Sequence, residues 1–141
     1  MPPTNAMRFL DTNVLIYAVS SAPDEAAKTR RALEVLDQRD LALSVQVLQE
    51  FYVQATRPSR PGALSHLEAA SFATSLQRYP VQEITLDLMW SALSMCQRFG
   101  LSYWDSAILA AARASGCDAV YSEDLSASQD YDGLRVVNPF T

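Results

Sequence analysis

The sequence is poor in the side chains on which zinc sites and histidine-based hydrolases depend. It contains one histidine, His66, and two cysteines, Cys96 and Cys117, which are far apart in the chain and form no metal-type pair. We expect both cysteines to be buried, reduced thiols, which is consistent with the cytoplasm. Zinc binding and histidine-based catalysis therefore lack ligands. Any metal must be a hard cation that oxygen atoms hold.

Basic charge and long apolar runs are also scarce. The chain has sixteen acidic residues and eleven basic ones, which gives a net charge of −5, and Lys28 is the only lysine. This balance argues against a broad nucleic-acid-binding surface, which is normally basic. It is compatible with a nuclease in which a metal and a few arginines bind phosphates locally. No apolar run approaches the roughly 20 residues that cross a bilayer, so we expect no membrane contact.

The length predicts one domain over residues 7–141, after a flexible leader at residues 1–6. The leader is neither charged nor followed by a signal-type apolar stretch. Nothing therefore predicts export, and the expected location is cytoplasmic.

Short apolar segments alternate with amphipathic ones along the chain. The predicted strands are 7–10, 41–43, 81–84, 119–121 and 134–137. The predicted helices begin near Asn13 and then cover 26–39, 45–56, 67–78, 86–99 and 101–116. This alternation is typical of an α/β domain in which helices cover both faces of a mostly parallel sheet, here with five strands.

Apolar stripes at helical spacing are expected to face the core. In the helix over 67–78 they are Leu67, Ala70, Phe72, Ala73 and Leu76, and in the helix over 86–99 they are Met89, Trp90, Leu93 and Cys96. The aromatic residues near the acids discussed below are also expected to pack in the core more often than to stack on bases: Tyr17, Phe51, Tyr52 and Trp104.

Four acidic positions are candidates for chemistry, and each has a structural alternative. Asp11 follows the first strand, where it could cap the helix that starts at Asn13. Asp105 could complete a capping box with Ser102. An acid at 123 or 124 could cap a turn, and a glutamate at 50 could lie at the solvent edge.

The collective argument is stronger than its parts. In a parallel sheet the strands that end at residues 10, 43 and 121 share one edge, where such folds bind ligands. Asp11 and Asp124 follow two of these strands directly, and Glu50 can lean back towards the same edge because helical side chains point to the N-terminus. Asp105 joins them if its helix starts there. Clustered carboxylates raise one another's pKa and rarely persist without a cation. With hydroxyls from Thr12, Ser106 and Ser122, the cluster suits Mg²⁺ or Mn²⁺, which can activate water and stabilise charge on a phosphodiester.

These residues resemble the successive motifs of PIN-domain ribonucleases, in particular the VapC toxin subunits of VapBC toxin–antitoxin systems. The matching segments are 10–17 (LDTNVLIY), 49–52 (QEFY), 103–108 (YWDSAI), 121–125 (YSEDL) and 133–140 (GLRVVNPF). They cover essentially the whole chain in the right order.

The resemblance implies a PIN-like three-layer sandwich, often dimeric, with acids around one or two Mg²⁺ or Mn²⁺ ions. Asp11 and Asp105 would be the principal ligands, Glu50 the third acid and Asp124 the fourth, although Glu123 could replace Asp124. Thr12 and Ser122 would support the cluster through hydrogen bonds. The implied activity is RNA hydrolysis by metal-activated water, which a cognate VapB-like antitoxin inhibits.

Other functions remain open from the sequence. A phosphoacceptor protein of receiver type needs a lysine beside its aspartate, whereas Lys28 lies in a charged helix. A haloacid-dehalogenase-type phosphatase needs a second aspartate where Asn13 stands. A catalytically silent PIN fold that serves only as a binding module is a further alternative. For an active nuclease, Arg57 and Arg60 are candidate phosphate contacts, although a solvated loop is the simpler interpretation.

Overall fold

The computed structural model of the protein describes residues 7–125 and 129–141, so the leader at residues 1–6 lies outside the described residues. The strands are β1 (Met7–Leu10), β2 (Leu41–Ser44), β3 (Val81–Gln82), β4 (Cys117–Tyr121), β5 (Asp130–Tyr131) and β6 (Leu134–Val137). The helices are α1 (Thr12–Ala18), α2 (Ala26–Leu36), α3 (Val45–Ala55), α4 (His66–Ser75), α5 (Leu86–Phe99) and α6 (Tyr103–Ala114), with 3₁₀ turns at Pro23–Glu25 and Leu76–Arg78.

The strands form one sheet in the order β3-β2-β1-β4-β6-β5. All neighbouring pairs are parallel except β5 and β6. The predicted α/β architecture is therefore confirmed, with six strands rather than five. The additional strand, β5, forms a hairpin with β6 through Asp132 and Gly133, whose φ angles are 58° and 89°. Positive φ at both positions is the type I′ geometry that an Asp-Gly pair favours, so this hairpin had a sequence signal.

Helices cover the sheet in two groups. Helix α1 packs against α2 and α3, whereas α5 packs against α6, which itself lies on β2 and β4. The run of small side chains in α6 allows this close approach, and residues 106–112 are all buried. No helix among the described residues is both long enough and apolar enough to span a membrane.

The predicted inward faces of α4 and α5 are partly wrong. Leu67 is 73% exposed, and Met89, Trp90 and Leu93 are between 41% and 56% exposed. Helix α5 buries Ala92 and Met95 instead. The reason is geometric, because the apolar stripe of α5 is wider than the strip that α6 covers, and periodicity alone does not say which part of a wide stripe is inside.

The fold brings several helix starts to one edge of the sheet. Helices α1 and α3 follow directly from the carboxyl ends of β1 and β2. Helix α6 runs into β4 through Gly116, so its first turn lies at the edge where β4 ends. The carboxyl ends of β1, β2 and β4 and the starts of α1, α3 and α6 therefore surround the same place.

Candidate functional site

Asp11 is the buried centre of this edge. It ends β1, caps α1 and is only 9% exposed. Its Oδ1 accepts the Thr12 N–H at 2.7 Å, and its Oδ2 accepts the Ser122 hydroxyl at 2.7 Å. Asp11 is thus a helix cap, for a helix that begins one residue before Asn13, and it is also joined to the residue that follows β4.

The ionisation of Asp11 is strongly perturbed. Burial raises the pKa of its carboxyl to about 6, although the hydrogen bonds from Ser122 and Thr12 lower it. The negative charges of Asp124 and Glu50 raise the pKa further. These two acids therefore lie near enough to Asp11 for their charges to act on it, and Asp11 forms no ion pair with a residue that the structure describes.

Glu50 reaches back from the second turn of α3. The Thr12 hydroxyl donates to Glu50 Oε1 at 2.8 Å, so that Thr12 joins Asp11 and Glu50. The side-chain amide of Gln46, one turn earlier in α3, lies 3.5 Å from Glu50 Oε2, at the outer limit of a hydrogen bond. Glu50 is half-buried and has a polar partner near each carboxylate oxygen, whereas a glutamate at the solvent edge would be exposed.

Ser122 makes the turn that follows β4. Its Oγ accepts the N–H groups of Asp124 and Leu125, each at 3.1 Å. The turn therefore does not use an acidic side chain as its cap. Asp124 itself is exposed.

Glu123, adjacent in sequence, has a different environment. Lys28 Nζ lies 2.5 Å from Glu123 Oε2, and the Tyr17 hydroxyl donates to Oε1 at 2.6 Å. Burial raises the pKa of Glu123, but the bonds from Lys28 and Tyr17 outweigh it and lower the pKa below its ordinary value. Both oxygens of Glu123 are thus engaged on the side of α1 and α2, whereas the charge of Asp124 acts on Asp11.

Asp105 lies in the first turn of α6. Ser102 Oγ accepts the Asp105 N–H at 3.1 Å, but among the described helices only α4 has a complete capping box, between Ser65 and Glu68. The Asp105 carboxylate is therefore not used in the cap. Its negative charge contributes to the raised pKa of Tyr131, after the larger effect of burial.

Gln46 joins α3 to the start of α6, and the sequence analysis did not identify it. Its Nε2 lies 3.4 Å from the Trp104 carbonyl oxygen as well as near Glu50. Gln46 thus connects Glu50 to Trp104, the residue before Asp105. Its position four residues before Glu50, on the same helix face, is the only signal that could have found it.

Two residues of this edge carry buried polar atoms without a hydrogen-bond partner among the described residues. They are both amide atoms of Asn13 and the hydroxyl of Ser106, next in sequence to Thr12 and Asp105. Leaving such a group unpaired costs about 1–3 kcal/mol, so a water or an ion is the expected partner of such atoms. One oxygen of Asp118, at the start of β4, shares this condition.

The side chains do not form a complete metal cage. Within residues 7–125 and 129–141, no three His, Cys, Asp or Glu side chains stand close enough together to hold an ion by themselves. Mg²⁺ usually binds through one or two carboxylates and keeps several waters, so this arrangement fits it better than a metal that needs four protein ligands. The all-oxygen donors and the raised pKa of Asp11 agree with a hard cation.

A cavity of about 360 Å³ lies between α3 and the start of α6, and Glu50 is the one candidate acid that lines it. It is lined by Gln46, Gln49, Glu50, Val53, Gln54, Arg57 and Trp104. Trp104 is 63% exposed, so the expectation that it packs in the core is wrong. A larger cavity of about 440 Å³, between the end of α2 and Tyr79, contains none of the predicted site residues.

Comparison with known proteins identifies the family. The PIN domain model matches residues 8–129 of the sequence. No curated protein matches it. Among solved structures, the chain is similar to a toxin–antitoxin complex from Klebsiella pneumoniae, with 21% identity, coverage of 94% of this chain and 97% of that chain, and a TM-score of 0.69.

Two further structures share the fold. VapC20 of Mycobacterium tuberculosis, a Sarcin-Ricin loop cleaving toxin, has 21% identity, with 83% of this chain and 89% of that chain covered and a TM-score of 0.63. DNA-bound VapBC from Salmonella typhimurium has 18% identity, with 95% and 98% covered and a TM-score of 0.66. At these identities the likeness is one of fold.

Proposed function

The chain belongs to the PIN domain family, and we propose that it is an endoribonuclease that depends on Mg²⁺ or Mn²⁺ and is the toxin of a type II toxin–antitoxin pair. The observation that carries the proposal is the state of Asp11. It is a buried carboxylate whose pKa is raised to about 6 by burial and by the charges of Asp124 and Glu50, and it forms no ion pair within residues 7–125 and 129–141. Such a site is costly unless an external cation completes it.

The proposed roles of the residues follow from their places at the edge. Asp11, Asp105, Glu50 and Asp124 would hold the ion, directly or through its waters. When bound, the ion would supply a nucleophilic water and stabilise negative charge on the phosphodiester. Thr12 and Ser122 orient the acids through the hydrogen bonds described above. Those bonds fix the carboxylates before substrate arrives, which lowers the reorganisation needed for reaction.

The environment of Lys28 weighs against a receiver-type phosphoacceptor. Lys28 contacts Glu123 and Tyr17 rather than Asp11. A phosphatase of the haloacid-dehalogenase type would need an acid at position 13, where Asn13 stands. A silent PIN module would leave the uncompensated acids without a purpose, and the experiment below separates it from the nuclease.

An antitoxin partner and a homodimer are part of the same proposal. Similar structures include complexes of toxin with antitoxin. Helix α5 exposes apolar side chains, among them Met89, Trp90 and Leu93, that are unusual on a monomer's surface and suited to protein contact. We place the protein in the cytoplasm, where its free cysteines would stay reduced.

Cleavage of a structured RNA with Mn²⁺ or Mg²⁺ tests the proposal. We expect wild-type protein to cut the RNA internally, EDTA to stop cutting, and Asp11→Asn and Asp105→Asn to lose about 100-fold or more in rate. Asp37→Asn, an exposed acid that lines the 440 Å³ cavity, is the matched control and should cut like wild type. Equal rates for wild type and the two site variants would reject the site, and no cutting with any metal would leave the silent module.

A further inference from the structure

Trp104 lies beside the acids with its indole ring in solvent. It precedes Asp105 in the first turn of α6 and is 63% exposed. Tyr103 packs edge-on against it, with ring centroids 5.0 Å apart and an interplanar angle of 81°. Because Tyr103 supports one side of the ring, the indole is held in place while it keeps a large surface open. A fixed, exposed aromatic ring is the side chain on which unpaired bases stack.

The cavity in front of Trp104 has the size and chemistry of a base-binding pocket. Its volume of about 360 Å³ falls within the range of small-ligand sites. Three glutamine side chains line it, Gln46, Gln49 and Gln54. An amide both donates and accepts hydrogen bonds, as the edges of a nucleobase do. The pocket can therefore contact a base by its face and by its edge.

Two further residues that line the pocket, Glu50 and Arg57, would place a phosphodiester of a bound RNA next to it. Glu50 lines the cavity and is also hydrogen-bonded to Thr12 beside Asp11. Arg57, an exposed residue after α3, lines the same cavity, and its guanidinium can bind a phosphate through two hydrogen bonds. A base in the pocket would thus have its backbone between the acids and an arginine.

We propose that this pocket binds an unpaired RNA base next to the bond that is cut, with Trp104 as the stacking surface, the exposed Gln49 and Gln54 as contacts to the base edge, and Arg57 as a phosphate contact. The inference rests on the proposed ribonuclease function and deepens it. It assigns the recognition of sequence near the cut to α3 and the start of α6. Single-stranded loops are the RNA elements whose bases are free to enter such a pocket.

The charged residues of the lining favour RNA over a protein segment. The lining surface is mostly apolar, which suits the face of a base, and it also carries three amides, a carboxylate and a guanidinium. The neighbouring cavity of about 70 Å³, lined partly by Ile84, Leu88 and Met89, has no charged residue in its lining and is the better place for a protein partner. Trp104 borders both cavities, so a protein contact at Trp104 is the competing outcome of the test.

Two matched pairs of exposed residues give the test its controls. Trp90 is 56% exposed on α5 and lines neither cavity, and Arg30 is an exposed arginine of α2 that also lines neither. We expect Trp104→Ala to lower kcat/KM for RNA about tenfold or more, mainly through KM, with Trp104→Phe retaining part of the rate. The loss for RNA should exceed the loss for the same oligoribonucleotide with an abasic residue beside the cut by about the same factor. Arg57→Ala should raise KM, whereas Trp90→Ala and Arg30→Ala should not.

Mapping the cut ends and measuring binding separates this inference from the proposed function. Trp104→Ala should relax the base preference beside the cut. In the Asp11→Asn background, it should also weaken binding of a fluorescein-labelled oligoribonucleotide about tenfold.

If wild type cuts RNA and Trp104→Ala cuts the same sites with the same KM, the pocket is rejected and the nuclease stands. If no protein cuts RNA but Trp104→Ala still loses oligonucleotide binding, the pocket stands and the nuclease falls. An altered gel-filtration volume with unchanged RNA kinetics would assign Trp104 to a protein contact and overturn the inference.

Discussion

The surroundings of Glu123 and Asp11 differ, although both belong to the same edge of the sheet. Glu123 is paired with Lys28 and Tyr17, and its pKa is lowered, because their bonds outweigh the effect of burial. Asp11 has hydrogen-bond donors but no ion pair among the described residues, and burial raises its pKa to about 6.

The difference separates a structural acid from a functional one. Where a carboxylate ties α1 and α2 to the loop after β4, the chain supplies its only lysine. Around Asp11 it supplies two more negative charges, from Asp124 and Glu50. An arrangement that is unfavourable for the isolated protein is favourable for a protein that binds a cation.

The largest expected effect is a difference in RNA cleavage rate between variants of the adjacent acids Glu123 and Asp124. Asp124→Asn should lower the rate of RNA cleavage about 100-fold, because it removes one of the acids proposed to hold the ion. Glu123→Gln should change the rate by less than about threefold, since its oxygens face Lys28 and Tyr17. Initial rates at saturating Mn²⁺ measure both. A larger loss for Glu123→Gln would reverse the assignment of the fourth acid.

The next effect is a pH dependence of opposite sign at the two acids. The folded-state pKa of Asp11 is about 6 against an ordinary value of 3.8, so between these pH values the folded protein holds more protons than the unfolded one. The free energy of unfolding should therefore fall as pH rises from about 4 to 6, by on the order of 2 kcal/mol. The lowered pKa of Glu123 gives stability that is present above its ordinary value of 4.5 and is lost as the pH falls below it.

Urea unfolding in EDTA at a series of pH values measures these slopes. Asp11→Asn should flatten the fall between pH 4 and 6 and be more stable than wild type above pH 6. Glu123→Gln should instead lose stability above pH 5 relative to wild type. If the free energy of unfolding had the same slope between pH 4 and 6 in wild type and in Asp11→Asn, the raised pKa of Asp11 would be contradicted.

The smallest effect concerns the contact between Lys28 and Glu123. Both side chains are partly exposed, at 41% and 26%, so water and salt screen their interaction. Lys28→Met and Glu123→Gln should each lower the melting temperature by at most a few degrees. The double variant should lose no more than the larger single loss, because the two residues share one interaction. Additive losses in thermal melts would mean that the two side chains act independently.

The sequence predicted the parts that depend on local pattern and topology. Alternation of strands and helices led to the parallel sheet, and the strand ends led to the edge with Asp11 and Ser122. Contacts between residues that are far apart in the sequence could not be predicted from it. Lys28 and Glu123 are 95 positions apart, and nothing in either segment signals their pairing.

Exposure was the other limit of the sequence. The wide apolar stripe of α5 and the indole of Trp104 were both assigned to the core, because periodicity identifies a face without saying what covers it. The hairpin at Asp132 and Gly133 was missed for a different reason, since its first strand has only two residues.

Mn²⁺ binding to Asp11 tests the central claim most directly. Calorimetric titration at pH 7 should show saturable binding by wild type and Glu123→Gln. The same titration of Asp11→Asn should show binding that is at least about tenfold weaker. Equal affinity of all three proteins, or no binding by wild type, would contradict a cation site at Asp11.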